Sequence, residues 1–345
     1  MYKKFFMGIA AIAALTLVSC SSDDLNSLSD NSSKNEAISF DGYLGRSAVA
    51  VNGSRGSEVN KDALQNSAEG FGVFGNYMEE TETTTAYGEN LFKNEQVTYD
   101  KSATPAKWTY TNTKYWPTEG HINFLAYAPY DSEQKLIENS KLKFKVIGQK
   151  DLLWANAEKQ TKANNSGTKK VEFTFYHALA KIGYSLKQRD TYNKTTITVT
   201  SIKLVGSDNK GAFYTEGTFD LSKGNNGENL WTTEQNVTKQ DFDWLSSNTV
   251  LTTVAANNAA DNYLFVIPQN FSESTTDKLF VVVEYTVQTE GTAALKNKVT
   301  KPITANFLQG KAYTINLNIG LTPIEFDAEV KEWENGGTID DITLE

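Results

Sequence analysis

The stretch Gly70-Phe71-Gly72-Val73-Phe74-Gly75 decides the fold class, because its letters fit two different structures. The spacing G-x-G-x-x-G is typical of dinucleotide-binding proteins, where it joins a buried strand to a helix whose N-terminus faces the pyrophosphate. Here the following residues, 76–85, are acidic and rich in Thr and show no helical periodicity. We therefore interpret the stretch as a core strand, in which the glycines allow close packing within a β-sheet.

Short segments with strand character recur along the rest of the chain. Aromatic residues make up 12 % of the sequence, whereas Pro and Met are few, and this composition favours strands. Residues 61–67 could hold one helical turn, and residues 156–163 have some helical character but lack an apolar face. Many short strands without a βαβ rhythm predict an all-β fold of packed sandwiches. Further predicted strands cover residues 37–44, 108–110, 122–128, 142–146, 151–155, 171–176, 182–186, 195–205, 217–221, 263–267, 279–287 and 312–319.

The N-terminal segment has the features of an export signal. Two lysines precede an apolar run over residues 5–18, which is too short to cross a bilayer as a stable helix. The run ends in Leu17-Val18-Ser19-Cys20, the lipobox pattern of bacterial lipoproteins, and Cys20 is the only cysteine of the chain. We predict a signal peptide over residues 1–19 and lipidation of Cys20, which would anchor the protein outside the cytoplasm. An ordinary secretory signal that contains a cysteine is the alternative.

Two polar segments flank the first predicted strand. Residues 20–36 are small, polar and acidic, which indicates a flexible tether. In the strand itself Ile38 and Phe40 alternate with polar neighbours, which predicts one buried face. The turn-rich stretch that follows contains Arg46 and Arg55, where small neighbours would give an arginine-specific protease access; two solvated charges in a linker are the alternative. A polar break at residues 159–170 is the best candidate for a domain boundary.

Charge and residue types exclude several function classes. The net charge of -9 and the pI near 5.0 argue against a nucleic-acid partner. His121 and His177 are the only histidines and lie beside apolar strands, so we assign them structural roles and predict no metal or cofactor. Asp241 and Asp243 could ligate calcium but lack the rest of a calcium loop. Nothing predicts an enzyme, although a glycosidase pair of carboxylates stays open until the fold is known.

Three motifs, in this order, resemble those of the Bacteroidales fimbrillin family. They are Tyr115-Trp116-Pro117 followed by Ile122-Asn123-Phe124-Leu125-Ala126-Tyr127-Ala128-Pro129, then Phe175-Tyr176-His177-Ala178-Leu179-Ala180-Lys181-Ile182, then Gly310-Lys311-Ala312-Tyr313-Thr314 continuing to Trp333. The resemblance covers nearly the whole chain. It implies two tandem transthyretin-like β-sandwich domains, at residues 56–168 and 169–345, after a removable first strand and linker at residues 37–55.

The resemblance also implies how the protein assembles. Precursors of this family reach the cell outer membrane as lipoproteins, and an arginine-specific protease then cuts after the first strand, here at Arg55 or, second, Arg46. The strand that carries Ile38 and Phe40 would leave a groove, which a strand of a neighbouring subunit would fill. The resemblance assigns the donor role to a C-terminal tail, residues 336–345, and implies a homopolymer that joins other fimbrial subunits. The apolar residues of this tail are Ile339, Ile342 and Leu344.

The sequence also allows two alternatives to a shaft subunit. Ile339 is out of phase with Ile342 and Leu344, so the tail could be a poor donor and the chain a tip or anchor subunit. A non-polymerising surface lipoprotein or a fimbrial tip adhesin would bind a glycan or a protein on a host or bacterial surface. We expect such a binder to use exposed aromatic residues, for which Trp231 and Trp244 in the polar stretch 222–248 are candidates.

Overall fold

The computed structural model describes most of the chain. The described residues are 36–44, 60–82, 85–146, 148–165, 170–207, 210–224, 229–234, 237–257, 263–272, 275–321 and 325–332. Among these residues no helix has both the length and the apolar character needed to span a membrane.

The protein is built almost entirely of strands, and the all-β prediction is confirmed. The described helices are short: α1 is Lys61–Asn66 and α2 is Lys162–Asn165. The first twelve strands are β1 (Phe40–Leu44), β2 (Phe71–Met78), β3 (Phe92–Asp100), β4 (Lys107–Thr109), β5 (His121–Ala128), β6 (Lys141–Lys145), β7 (Leu153–Gln160), β8 (Val171–His177), β9 (Ala180–Gln188), β10 (Thr195–Gly206), β11 (Phe213–Tyr214) and β12 (Glu216–Asp220). The others are β13 (Trp231–Thr232), β14 (Lys239–Gln240), β15 (Phe242–Leu245), β16 (Thr249–Val250), β17 (Ala256–Asn257), β18 (Leu264–Val266), β19 (Gln269–Asn270), β20 (Leu279–Thr289), β21 (Leu295–Ile303), β22 (Asn306–Phe307), β23 (Lys311–Ile319) and β24 (Glu325–Glu332).

The N-terminal half forms a seven-stranded sheet in the order β1-β8-β7-β5-β2-β3-β4. One face carries an N-terminal core that is rich in aromatic side chains, and the other face carries a central core. The central core also receives side chains from β12, β13 and β18, so residues from both halves of the chain pack there. Strand β8 lies after the polar break at residues 159–170 but pairs with β1 and β7. The division into domains at residues 168 and 169 stays a prediction.

The C-terminal half contains two five-stranded sheets. Their orders are β15-β10-β20-β21, with β16 beside β10, and β17-β9-β23-β24, with β18 beside β9. Alternate residues of the long strands point inward, as in β23, where Tyr313, Ile315, Leu317 and Ile319 are all buried. These side chains and those of β10 and β20 form one C-terminal core.

The glycine-rich stretch is part of a buried strand, which confirms its interpretation from the sequence. Gly70 has φ +62, and a Cβ atom there would lie 2.0 Å from the carbonyl oxygen of Val97. At Gly72 a Cβ atom would lie 2.4 Å from Cε1 of Tyr127 on the neighbouring strand β5. The glycines therefore serve the packing of the sheet, since β2 runs on from Phe71 to Met78 where a dinucleotide site would need a helix.

We expect the substitution Gly72→Ala to lower the free energy of unfolding by about 1–3 kcal/mol through overpacking. Tyr127 cannot easily move away, because its hydroxyl oxygen lies 2.7 Å from Asn94 Oδ1 and 2.8 Å from the carbonyl oxygen of Asp131 and donates its one proton to one of these acceptors. Urea unfolding measures the effect, and Lys93→Ala at an exposed position of β3 serves as the control. Equal stability of the two variants would contradict the close-packing role of Gly72.

Candidate functional site

The first strand has one fully buried face. Ile38 and Phe40 are 2 % and 1 % exposed, and Gly42 is buried too. On the other face Ser39 and Asp41 are half-buried and Tyr43 is 41 % exposed. This is the period of two that a strand imposes on a sequence with one apolar side. The segment 36–44 is therefore inserted into the body of the protein by alternate side chains.

Strand β1 lies at one edge of the seven-stranded sheet. It runs parallel to β8, and its register places Phe40 opposite Val171 and Leu44 opposite Phe175. The amide of Val171 donates to the carbonyl oxygen of Ser39 at 2.9 Å. Because β1 comes first in the chain and pairs with a strand more than a hundred residues later, no tight turn connects the two strands. Its pairing depends on contacts along the strand rather than on a local hairpin.

The residues just before β1 are bonded to the segment that follows β4, the strand at the other end of the same sheet. The amide of Ile38 donates to the carbonyl oxygen of Lys114 at 2.8 Å, and the amide of Trp116 donates to that of Glu36 at 3.0 Å. Residues 114–116 follow β4, which is the last strand at that end. Residues 36–44 thus close the gap between β8 and the segment after β4. We call this gap the first-strand groove.

Aromatic rings surround Phe40 inside the groove. Its ring centroid lies 5.5 Å from those of Phe92 and Phe124, both edge-to-face, and 5.5 Å from that of Tyr110. It also stacks on Phe173 of β8 at 5.6 Å. The strands β3, β5 and β8 and the residue after β4 each supply one of these rings. Aromatic pairs at such distances add stability beyond the buried area, so Phe40 is the main apolar anchor of the segment.

Tyr110 holds the main chain of the segment as well as its side chain. Its hydroxyl donates to the carbonyl oxygen of Ile38 at 2.8 Å and accepts from the amide of Lys114 at 3.2 Å. Burial raises the pKa of Tyr110, which keeps the hydroxyl protonated and able to donate. The Lys114 ammonium lies 4.7 Å above the ring of Phe92 and 3.1 Å from Glu95 Oε2, at the outer rim of the groove.

Gly42 lies where two aromatic rings come close to the main chain of the segment. A Cβ atom at this position would lie 3.3 Å from Cε2 of Phe175 and 3.6 Å from Cε1 of Phe71. The first of these distances is tighter than an ordinary van der Waals contact. A side chain larger than a methyl group would therefore displace the ring of Phe175.

Most of the other predicted site residues lie outside the described residues. This holds for Cys20, Arg46, Arg55 and the tail residues Ile339, Ile342 and Leu344. The third arginine, Arg189, is described: its amide donates to the carbonyl oxygen of Ile319 at 3.0 Å, and its Nε donates to Asp190 Oδ2 at 3.0 Å. Arg189 is thus part of the folded C-terminal half.

The prediction of exposed tryptophans is wrong. Trp231 is 6 % exposed, and its Nε1 donates to the carbonyl oxygen of Ala178 at 2.7 Å within the central core. Trp244 is 1 % exposed and packs edge-to-face on Tyr184 at 4.8 Å. The polar stretch 222–248 contains β13, β14 and β15, and these strands place both indole rings inward. Neither ring is available as a platform for a glycan.

The candidate metal and catalytic residues are engaged in other contacts. His177 is buried, with its Nδ1 2.7 Å from Asp151 Oδ2. Asp241 accepts from the amide of Gly206 at 2.8 Å, and Asp243 pairs with Lys203 at 2.8 Å. Within the described part of the chain, no three His, Cys, Asp or Glu side chains come together as a metal site.

The aromatic lining of the groove did not emerge from the sequence. Phe92 and Val97 are the only fully buried residues of β3, whose other residues are mostly polar, so no strand is predicted there. Phe124 and Phe173 lie in predicted strands, but nothing in the sequence pairs them with Phe40. The signal that was present is the alternation of Ile38, Phe40 and Gly42, since all three face the groove.

Known proteins share this architecture. The sequence profile of fimbrillin-like proteins matches residues 58–333. The chain belongs to the fimbrillin-like family. The fimbrium subunit Fim1C of Phocaeicola vulgatus is 30 % identical to it in an alignment over 225 residues that covers 57 % of this chain and 55 % of that relative. The chain therefore matches about half the length of this relative.

A solved structure supports the fold of this fimbrillin-like chain. The crystal structure of a fimbrial protein from Bacteroides vulgatus superposes with a TM-score of 0.67. The superposition covers 87 % of this chain and all of that one, at 21 % identity. At this identity the likeness establishes the fold alone. The resemblance to fimbrillins that the sequence motifs indicated is thereby confirmed at the level of the family.

Proposed function

We propose that this fimbrillin-like protein is a fimbrial subunit that is exported as a lipoprotein, matured by arginine-specific proteolysis and assembled by strand exchange at the cell surface. Cleavage at Arg55 would release residues 20–55 and cleavage at Arg46 would release residues 20–46, and both pieces include β1. A strand of a neighbouring subunit would then occupy the first-strand groove. The assembled fimbria would serve adhesion to a host or bacterial surface.

The observation that carries this proposal is the way residues 36–44 are held. They contribute buried side chains to the N-terminal core and main-chain bonds to β8 and to the segment after β4. On their C-terminal side, these residues are joined to the body of the protein only through residues 45–59, which contain two of the three arginines. A segment with these contacts can be replaced by another strand without a change in the rest of the sheet.

The groove without its strand would be strongly unfavourable. Removal of strand β1 would expose the rings around Phe40 and leave the edge of β8 without its main-chain partners. Full burial of an apolar side chain the size of Phe contributes roughly 1.5–3 kcal/mol, and unpaired sheet edges attract other strands. The vacated groove would therefore bind an incoming strand with a large driving force.

Digestion of the soluble precursor, residues 21–345, with an arginine-specific protease tests the proposal directly. We expect a single new N-terminus after Arg55 or Arg46 by mass spectrometry. Once the cut strand has been separated from the body, we expect a ladder of stable multimers on an unboiled gel. Arg189 serves as the internal control, because its main chain is bonded to Ile319 and should resist cleavage. An uncut monomer would overturn the proposal, and a cut without a ladder would place the chain at a tip or an anchor.

The substitution Cys20→Ala is expected to abolish anchoring in the outer membrane. The acyl chains that hold a lipoprotein in the bilayer contribute about 0.8 kcal/mol per buried CH₂ group, and nothing else in residues 20–36 is apolar enough to replace them. Fractionation of cells into membrane and soluble protein measures the effect, with Ser19→Ala as the matched control. Continued membrane attachment of the Cys20→Ala protein would contradict the lipoprotein route.

A further inference from the structure

The first-strand groove holds every second residue of the segment, and these three residues, Ile38, Phe40 and Gly42, differ in size. We infer that it selects donor strands with the pattern aliphatic-x-aromatic-x-glycine, and that a strand with this pattern binds more tightly than residues 336–345 of a second copy of this chain. This inference rests on the proposed strand exchange and specifies the partner of the same groove.

The middle position requires an aromatic ring. Phe40 touches four rings from separate strands, and it stacks on Phe173 with an interplanar angle of 20°. A leucine side chain has neither the length to reach all four rings nor a flat face to stack on Phe173. Because protein interiors are close-packed, the missing atoms would leave a void that the surrounding sheet fills only in part.

The third position excludes side chains of ordinary size. The ring of Phe175 lies 3.3 Å from the place of a Cβ atom at Gly42, and the ring of Phe71 lies beside it at 3.6 Å. Both rings are themselves buried in the N-terminal core. A valine or leucine there would have to push Phe175 into its neighbours, which overpacks the core.

The tail of this chain fits the pattern poorly in either of two registers. With Ile342 in the place of Ile38, the tail offers Leu344 where the groove holds Phe40. With Ile342 in the place of Phe40, Leu344 meets the narrow site of Gly42 and Asp340 enters the apolar site of Ile38. An unpaired carboxylate in such a site is strongly disfavoured. Residues 336–345 contain no aromatic residue, so no register of this tail supplies the ring.

Competition between peptides for the groove of the cut protein tests the inference. A labelled peptide with the sequence of residues 36–44 is first exchanged into the cut chain, and unlabelled peptides then displace it while native mass spectrometry follows the bound species. The competitors are the same peptide, its variants Phe40→Leu, Gly42→Val and Tyr43→Leu, the tail peptide 337–345, and the tail peptide with Leu344→Phe. Tyr43→Leu is the matched control, because this side chain faces solvent.

We expect Phe40→Leu and Gly42→Val each to compete about tenfold less well than the parent peptide, and Tyr43→Leu to compete equally well. The unmodified tail peptide should compete more weakly still, and the substitution Leu344→Phe should improve its competition about tenfold. If the unmodified tail or Phe40→Leu competes within about threefold of the parent peptide, the selectivity is refuted while strand exchange stands. If the labelled parent peptide never enters the groove, strand exchange itself fails and the inference falls with it.

Discussion

Replacement of Phe40 by Ala is expected to lower the free energy of unfolding of the uncut precursor by about 3–5 kcal/mol, the range for deletion of a buried aromatic side chain. The expectation lies at the upper end of single-residue effects because Phe40 is 1 % exposed and touches aromatic rings on all sides. The loss combines the transfer of the ring out of the core, the cavity left behind and the broken ring-to-ring contacts. The sheet cannot collapse onto the cavity, since Phe92, Phe124 and Phe173 come from separate strands that are paired elsewhere.

Urea unfolding of the precursor, followed by tryptophan fluorescence, measures this loss. Trp108 and Trp116 belong to the N-terminal core and report on the part of the protein that contains the groove. Tyr43→Ala is the matched control, because it removes an aromatic side chain of the same strand from a position that faces solvent. A loss below about 1 kcal/mol for Phe40→Ala would show that the segment is not an anchored part of the core.

The same burial would determine what happens after the proposed cleavage. The buried ring of Phe40 would oppose dissociation of the cut segment, and the main-chain bonds to Lys114 and Val171 would add to this. Under the proposed strand exchange, release would therefore require a competitor that makes the same bonds while it enters. Stepwise displacement by an incoming strand satisfies this condition, since each new pair replaces one old pair along β8.

The sequence predicts this strand well because its signal is local. The alternation of Ile38 and Phe40 with polar residues, followed by a glycine, needs only the period of two to be interpreted. The same holds for Gly70 to Gly75, where the absence of a helical pattern afterwards is enough to reject a nucleotide site. Short-range patterns of this kind place a residue in a strand and on a face.

The partners of the strand could not be predicted, because they are set by long-range pairing. Strand β8 follows a polar break that looks like a boundary, yet it lies beside β1 in the same sheet. Strands β3, β21 and β24 have mostly polar sequences, so no strand is predicted there. For β21 and β24, a position at the edge of a sheet explains why polar residues are tolerated. Trp231 and Trp244 are buried by strands inside a stretch whose overall polarity predicted a surface loop. Composition describes the average of such a stretch and misses the few residues that point inward.

Replacement of both Arg46 and Arg55 by Ala is expected to abolish the multimer ladder and to leave a full-length monomer after treatment with an arginine-specific protease. The physical reason is the covalent link between the first strand and the body. A short covalent link gives the attached strand an effective concentration on the order of millimolar, whereas a donor strand at micromolar subunit concentration is about a thousandfold more dilute. The attached strand also has the better side chain for the aromatic site, so an uncut groove stays occupied by its own strand.

The single variants and a third arginine make this prediction specific. Arg55→Ala and Arg46→Ala identify which bond is cut, and a ladder that persists in one of them would show that the other arginine substitutes. Arg189→Ala should leave cutting and assembly unchanged, because Arg189 lies in the folded C-terminal half and its main chain is bonded to Ile319. A ladder formed by the uncut double variant would mean that subunits associate through another surface, and the first strand would then be a permanent part of the sheet.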